Sequence, residues 1–497
     1  MGKRLYRSVV LITSIAFLSL AKISYAEETG QCKDPVVKIA AVAGKIEAKR
    51  HGQQQWTPVK RNNTYCAGDQ IRADKASKAT LVFSNETLVT LDQHTAITIN
   101  QIENDGPSIL ELVKGIAHFI SRVPRSLKVN TPFVNAAIEG TEFVVEVGDN
   151  ETTVTVFEGT VLTANEQGEL RVTNNETSKT VKGEAPQKIL MARPRDAVQW
   201  AIYFPPVVKG EQHDELAAKS KAHMAITAIV NNQDNALALA KEAVTESPDA
   251  AASHIALSYA WQSKFDLDKA ITSAKTATEK EPDNAIAWAR LAEMQLSIGK
   301  LSKALQSAQK SSSLDADNAR AQTILGYAYL TQIKITKARE TFNNAIELDQ
   351  SDPLPHLGLG LAMIRNNELA EGRREIEIAA ALDPNNSIIR SYLGKAYYEE
   401  KRGPLDADQF AMAKELDPND PTPYFYDAIR KQTENDPVGA LQDINKSIAL
   451  NDNRAVYRSS LQLDQDEAAR SASLAQVYRD LNFDSVAQVE AYNSLNK

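Results

Sequence analysis

Two patterns of apolar positions divide this chain. From Val36 to about Val181, apolar and polar residues alternate in short runs such as Ala79-Thr80-Leu81-Val82-Phe83, Leu88-Val89-Thr90-Leu91, Ala96-Ile97-Thr98-Ile99 and Thr152-Thr153-Val154-Thr155-Val156. Period-two alternation is the mark of half-buried strands. Turn-forming groups separate the runs, among them Cys66-Ala67-Gly68-Asp69, Ser84-Asn85-Glu86, Asn104-Asp105-Gly106-Pro107, Gly148-Asp149-Asn150 and Gln167-Gly168. Many short strands with frequent turns predict an all-β domain, closed or sandwiched so that its edges are protected. Phe143, Val145, Val154 and Val156 alternate toward its core, and Gly140 and Gly159 fall at sharp connections that favour positive φ.

From about Ala217 the spacing becomes helical and an internal period appears. Pro248, Pro282, Ala316, Gln350, Pro384, Pro418 and Asp452 each follow the last by 34 residues. In the same frame Ala236, Ala270, Ala304, Ala338 and Ala440 recur at one position, and Leu257, Leu291, Leu325, Leu359 and Leu393 at another. Gly326, Gly360 and Gly394 follow the recurrent leucine, and Tyr329 and Tyr397 share a further position. A fixed period of this length predicts stacked helix hairpins, with small residues where two helices cross.

The helical part resembles the tetratricopeptide repeat (TPR) family. The resemblance implies a right-handed superhelix of hairpins over seven units, 217–250, 251–284, 285–318, 319–352, 353–386, 387–420 and 421–454. Gly372 and Asp406 stand where the crossing Ala belongs in the fifth and sixth units, so altered packing is expected there. Residues 455–467 break the frame as an irregular insertion. A partial eighth unit over 468–497 is marked by Leu474, Tyr478, Ala487 and Ala491. Its last helix carries Val486, Val489, Tyr492 and Leu495 with nothing to cover them, which fits either a longer protein or a docking face.

The β region resembles the FecR domain, an extracytoplasmic module named after a regulator of ferric citrate transport. The resemblance rests on Trp56, Gly68-Asp69-Gln70-Ile71-Arg72, the Ala79–Phe83 run, Thr131-Pro132-Phe133, Glu139-Gly140-Thr141-Glu142-Phe143 and Val154-Thr155-Val156-Phe157-Glu158-Gly159-Thr160-Val161, in that order. A sigma-factor regulator of that family would carry a cytoplasmic segment before a membrane anchor. Here a different N-terminus takes that place, so the resemblance implies a module working outside the cytoplasm.

That N-terminus reads as a signal peptide over 1–26. Lys3, Arg4 and Arg7 precede a 13-residue apolar run from Val9 to Ala21, then Ser24-Tyr25-Ala26 with small residues at the cut. The run is shorter than the roughly 20 residues that span a bilayer. The expectation is a periplasmic or secreted protein, in contact with a membrane only peripherally if at all. Export suits a disulfide between Cys32 and Cys66, the chain's two cysteines, with two separate thiols as the alternative. The β domain is assigned 27–185 and a linker 186–216, whose prolines Pro186, Pro194, Pro205 and Pro206 mark a boundary and whose Trp200 is expected to pack between domains.

The 497 residues exceed one ordinary domain, and 24 % charged with 43 % hydrophobic suits folded units. The net charge of −8 becomes −12 without the first 26 residues, so no nucleic-acid partner is expected. The seven histidines show no metal-ligand spacing, and no phosphate loop is present, so neither cofactor, metal nor catalysis is expected. Ser307-Ala308-Gln309-Lys310 fits S-x-x-K but lies within a repeat helix without companion motifs. Asp383 and Asp417 precede repeat-terminal prolines as turn formers.

The expected working surface is the concave side of the solenoid, lined by the first helix of each hairpin. Tyr259, Arg320, Tyr327, Arg365, Lys395, Tyr398 and Phe425 are the candidate protein-binding residues, suited to an extended or helical peptide segment. Lys114, Arg122, Arg125 and Lys128 could meet an acidic partner or glycan on the β domain. The expectation is therefore an exported non-enzymatic scaffold with a FecR-like second module. Alternatives are an extracytoplasmic sensor whose β domain binds a glycan or peptide and whose repeats relay it, and an accessory of a cell-wall or polysaccharide enzyme.

Overall fold

The computed structural model describes residues 34–102, 108–123, 127–138, 140–191, 194–201, 220–231, 233–450 and 467–495. The signal-peptide segment, Cys32, Arg125, residues 202–219 and most of the insertion at 455–467 lie outside the described residues. An N-terminal β-rich domain, β1 (Val37–Ala43) to β17 (Gln187–Ile189), is followed by a run of helices that forms a TPR solenoid.

Two sheets share one long strand, β9 (Ser108–Ser121). Residues Ser108 to Lys114 pair with β8 (Ala96–Ile102), and Gly115 to Ser121 pair with β12 (Thr141–Val147). Gly115 stands at the change of sheet with φ +98°, and a Cβ there would lie 2.5 Å from the Thr95 backbone. Only glycine tolerates that conformation and that approach. Phe119, Phe143, Val145, Val154 and Val156 fill the space between the sheets, all fully buried, with the Phe119 and Phe143 rings stacked at 4.7 Å. Gly140 and Gly159 both have positive φ.

The described helices of the first seven hairpins run from α1 (Lys221–Val230) to α14 (Pro437–Ala449). Those used below are α3 (Ala251–Ser263), α5 (Ala285–Ser297), α7 (Ala319–Leu330), α8 (Ile335–Leu348), α9 (Pro353–Arg365), α10 (Leu369–Leu382), α11 (Ser387–Glu399), α12 (Leu405–Leu416) and α13 (Pro421–Thr433). Two more, α15 (Glu467–Asp480) and α16 (Asp484–Leu495), follow. The recurrent crossing alanines Ala236, Ala270, Ala304, Ala338 and Ala440 are all buried.

The period also governs the helix ends. Asn284, Asn318, Asp352, Asn386 and Asp420, each 34 residues apart, cap the first helices by accepting a backbone N–H. Between the helices of each hairpin one residue takes a left-handed φ: Phe265, Gly299, Ile333, Asn367, Lys401 and Asn435. Glycine and asparagine suit that geometry; phenylalanine and the β-branched isoleucine do not.

Where Gly372 replaces the crossing Ala, α9 and α10 close on each other. A Cβ on Gly372 would lie 2.5 Å from the Gly360 carbonyl oxygen, and one on Gly360 equally close to that of Gly372. Asp406 of α12 is buried at the corresponding place, and burial raises its carboxyl above the ordinary range. Among the described residues no helix is long and apolar enough to cross a membrane.

Candidate functional site

The sheet that contains β7 (Leu88–Leu91), the second half of β9, β12 and β13 (Glu151–Glu158) turns one face inward to the β core. Its other face meets the solenoid. Alternation along β9 sends Ala117 and Phe119 to the core and His118 and Ile120 to the opposite side. Ala40, Leu88 and Ile120 form an apolar cluster there with Ile378 and Ala381 of α10.

Around that cluster lies a buried ionic network. Glu142 and Glu158 are opposite one another on β12 and β13, an arrangement that like charges make unfavourable unless it is compensated. Compensation comes from both domains. Arg390 of α11 donates Nη1 to Glu142 Oε2 at 2.7 Å and Nη2 to Oε1 at 2.6 Å. Arg122 donates to Glu158 at 2.5 Å and to the Tyr397 hydroxyl at 3.0 Å. That hydroxyl donates in turn to Glu377 at 2.7 Å, and Gln409 of α12 donates to Glu158 at 2.8 Å.

Burial pushes the Glu142 carboxyl upward, but Arg390 and His118 outweigh it and hold the group well below the usual carboxylate range. His118 is lowered by burial against the pull of Glu142, so its neutral ring donates Nε2–H to Glu142 at 3.1 Å. At the edge of the seam Glu86 accepts from Arg373 at 3.3 Å and Arg374 at 2.7 Å, and Arg61 pairs with Glu347 of α8. The linker adds Val198, packed with Val144 and Phe157, and Arg195, whose guanidinium lies 5.1 Å over the Phe157 ring and which burial lowers to about 10. The Trp200 side chain is outside the described residues.

The expectation that Arg122 serves an external acidic partner is thus corrected, because its guanidinium is buried against Glu158 and Tyr397. Lys114 is exposed and Lys128 half-buried. Cys66 is disulfide-bonded.

The candidate binding residues of the first helices separate into two groups. Tyr259 of α3 and Arg320 of α7 come together at 3.2 Å, but within a network that Glu293 and Arg290 of α5 complete. Arg320 is buried there. Tyr327 is also buried, its hydroxyl donating to the Leu354 carbonyl at 2.6 Å and its ring edge-on to Phe342. Phe425 is buried against Tyr426. Burial withdraws Arg320, Tyr327 and Phe425 from contact with a partner, because their side chains complete the joint between neighbouring hairpins.

Arg365 remains exposed, and Lys395 and Tyr398 are half-buried, with Lys395 Nζ 5.2 Å from the Tyr426 ring. The repeat frame extends this group. Leu361, Lys395 and Ile429 are equivalent positions of α9, α11 and α13, as are Ile364, Tyr398 and Gln432, and all six are half-buried. They form a stripe of mixed apolar and polar character across three successive first helices. Among the described residues no group of three or more His, Cys, Asp or Glu side chains is placed to hold a metal ion.

Sequence reasoning missed the seam. A signal for it existed in β7, where Leu88, Val89, Thr90 and Leu91 are all buried, and in the charged residues that interrupt the apolar β12 run at Glu142. Strands covered on both faces lose clean alternation.

A family model described as FecR protein matches residues 69–162, and one described as Tetratricopeptide repeat matches residues 266–319 and 357–421. No curated protein matches the chain. Similar solved structures include the APC/C hetero-tetramer Cut9-Hcn1, at 16 % identity and TM-score 0.47, covering 61 % of this chain and 56 % of that one. TTC0263, a thermophilic TPR protein in Thermus thermophilus, is 22 % identical with TM-score 0.32, covering 34 % of this chain and 92 % of its own. YrrB, a TPR protein described as having an unusual peptide-binding site, is 20 % identical with TM-score 0.26, covering 37 % and 95 %. The match to Cut9-Hcn1 spans little more than half of that chain.

Proposed function

We propose that this chain, a FecR domain joined to tetratricopeptide repeats, is an exported, non-enzymatic adapter that holds a protein segment across α9, α11 and α13. Stacked repeats of this kind are generally non-catalytic and present extended surfaces to other proteins. The observation that carries the reading is the half-buried stripe of Leu361, Ile364, Lys395, Tyr398, Ile429 and Gln432, flanked by exposed Arg365. Alternating apolar, aromatic and cationic side chains at one repeat position suit an extended or helical segment with acidic residues. In this reading the β domain braces the solenoid through the seam at α10 to α12, and its function as a second docking module is confined to surfaces away from that seam.

The test uses the full chain as bait in envelope extracts, beside the double variant Arg365→Glu/Lys395→Glu. A protein recovered by the native chain and lost from the variant supports the adapter. An identical set of proteins from both counts against it. Export and the Cys32–Cys66 bridge belong to the same proposal. They predict a mature N-terminus at Glu27 on sequencing and no free thiol in the secreted or periplasmic fraction.

A further inference from the structure

A cleft of about 460 Å³ opens where the β domain meets the fifth hairpin, with walls from both. That volume lies within the range of small-molecule sites. Ala40, Val82, Leu88 and Ile378 give it apolar lining, and Lys38, Arg61, Arg374, Glu375 and His356 give it polar lining.

His356 decides the chemistry. Its ring is 1 % exposed, Nδ1 lies 2.7 Å from Glu375 Oε2, and Nε2 has no hydrogen-bond partner among the described residues. The carboxylate can only accept, so Nδ1 carries the proton and Nε2 presents a lone pair. A buried acceptor left unmatched is costly, and a hydroxyl is the simplest group that satisfies it. The acidic side chains of the cleft are already engaged: Glu375 with His356, Glu377 with Tyr397 and Arg373, and Glu86 with Arg373 and Arg374. Lys38 is exposed and makes no ion pair with any described residue, so the rim presents a cation in want of an anion.

We infer that this cleft binds a small hydroxylated carboxylate with an apolar stem, its hydroxyl donating to His356 Nε2, its carboxylate at Lys38, and its stem along Val82, Leu88 and Ile378. This goes beyond the adapter reading and does not depend on it. The ligand touches both domains and therefore strengthens their docking.

The probe is 3-hydroxyoctanoate titrated into the full chain by calorimetry, with octanoate as comparator. The expected result is saturable binding at one site, roughly tenfold weaker for octanoate and roughly tenfold weaker for Lys38→Glu. His356→Leu should abolish the preference for the hydroxylated acid. Lys38 is exposed, so its variant reports even where His356→Leu does not fold. No saturable heat up to about 10 mM, equal binding of the two acids, or native affinity in Lys38→Glu overturns the proposal.

Discussion

Arg390 and Glu142 meet through two nearly parallel hydrogen bonds of 2.7 and 2.6 Å, with both side chains wholly removed from solvent. They are 248 residues apart in the chain, one in the first helix of the sixth repeat, the other in the Glu-Gly-Thr-Glu-Phe motif of the β domain. This pair joins the two domains into one unit. A forked guanidinium on a carboxylate is directional as well as strong, so it sets how the domains sit and not only that they touch.

Removing one partner leaves the other buried and unmatched. Glu142→Ala is expected to lower stability by roughly 3–5 kcal/mol in chemical denaturation. The double variant Glu142→Leu/Arg390→Met should lose less than Glu142→Ala, because no charge is then stranded. Equal losses for the single and double variants would show that packing, and not the ion pair, holds the seam.

Ile333 has φ +59° at the turn between α7 and α8 and is 64 % exposed. A β-branched side chain in the left-handed region is strained, and little packing is lost by replacing it. Ile333→Asn should raise stability by about 1 kcal/mol, read as an upward shift of the unfolding midpoint. A fall in the midpoint would contradict the strain argument.

Asp352 caps α9 through the Leu354 N–H at 2.9 Å, and burial raises its carboxyl to about 7. Its folded state therefore binds a proton more readily than its unfolded state, whose value is near 3.8. The contribution is most favourable below that lower value and declines as pH rises through about 7. Asn keeps the cap without the ionisation, so Asp352→Asn should match the native chain near about pH 4. Relative to the native chain it should gain roughly 2 kcal/mol by about pH 8. Melting curves of both proteins across that range check the sign, and parallel curves would refute it.

Gly372→Val places a side chain against the Gly360 carbonyl and Ile364. Overpacking of a close helix crossing is expected to cost roughly 1–3 kcal/mol. Because α10 also carries Ile378 and Ala381 of the seam, limited proteolysis should cut the variant faster between the domains. Cleavage confined to the repeats would separate hairpin packing from domain docking.

The division into a β domain and a helical solenoid was legible in the chain because periods of two and of 34 are local and repeat many times. The same regularity placed the buried alanines at helix crossings and the core positions Phe143, Val145, Val154 and Val156, since each depends on neighbours close in sequence or one repeat away. It extends to the caps and the left-handed turns, which went unread because a single position per repeat carries each.

What the tertiary structure decided is which exposed-looking residues stay exposed. Arg320, Tyr327 and Phe425 have the spacing of an open face, yet they are buried where successive hairpins join. Arg122, Glu142 and Arg390 have the composition of solvated surface, yet they meet across the domain seam. Period and spacing report which side of an element a residue occupies. They do not report what covers that side, because covering elements are chosen by contacts between distant parts of the chain, and a charge is as well accommodated by a buried opposite charge as by water once the geometry is met.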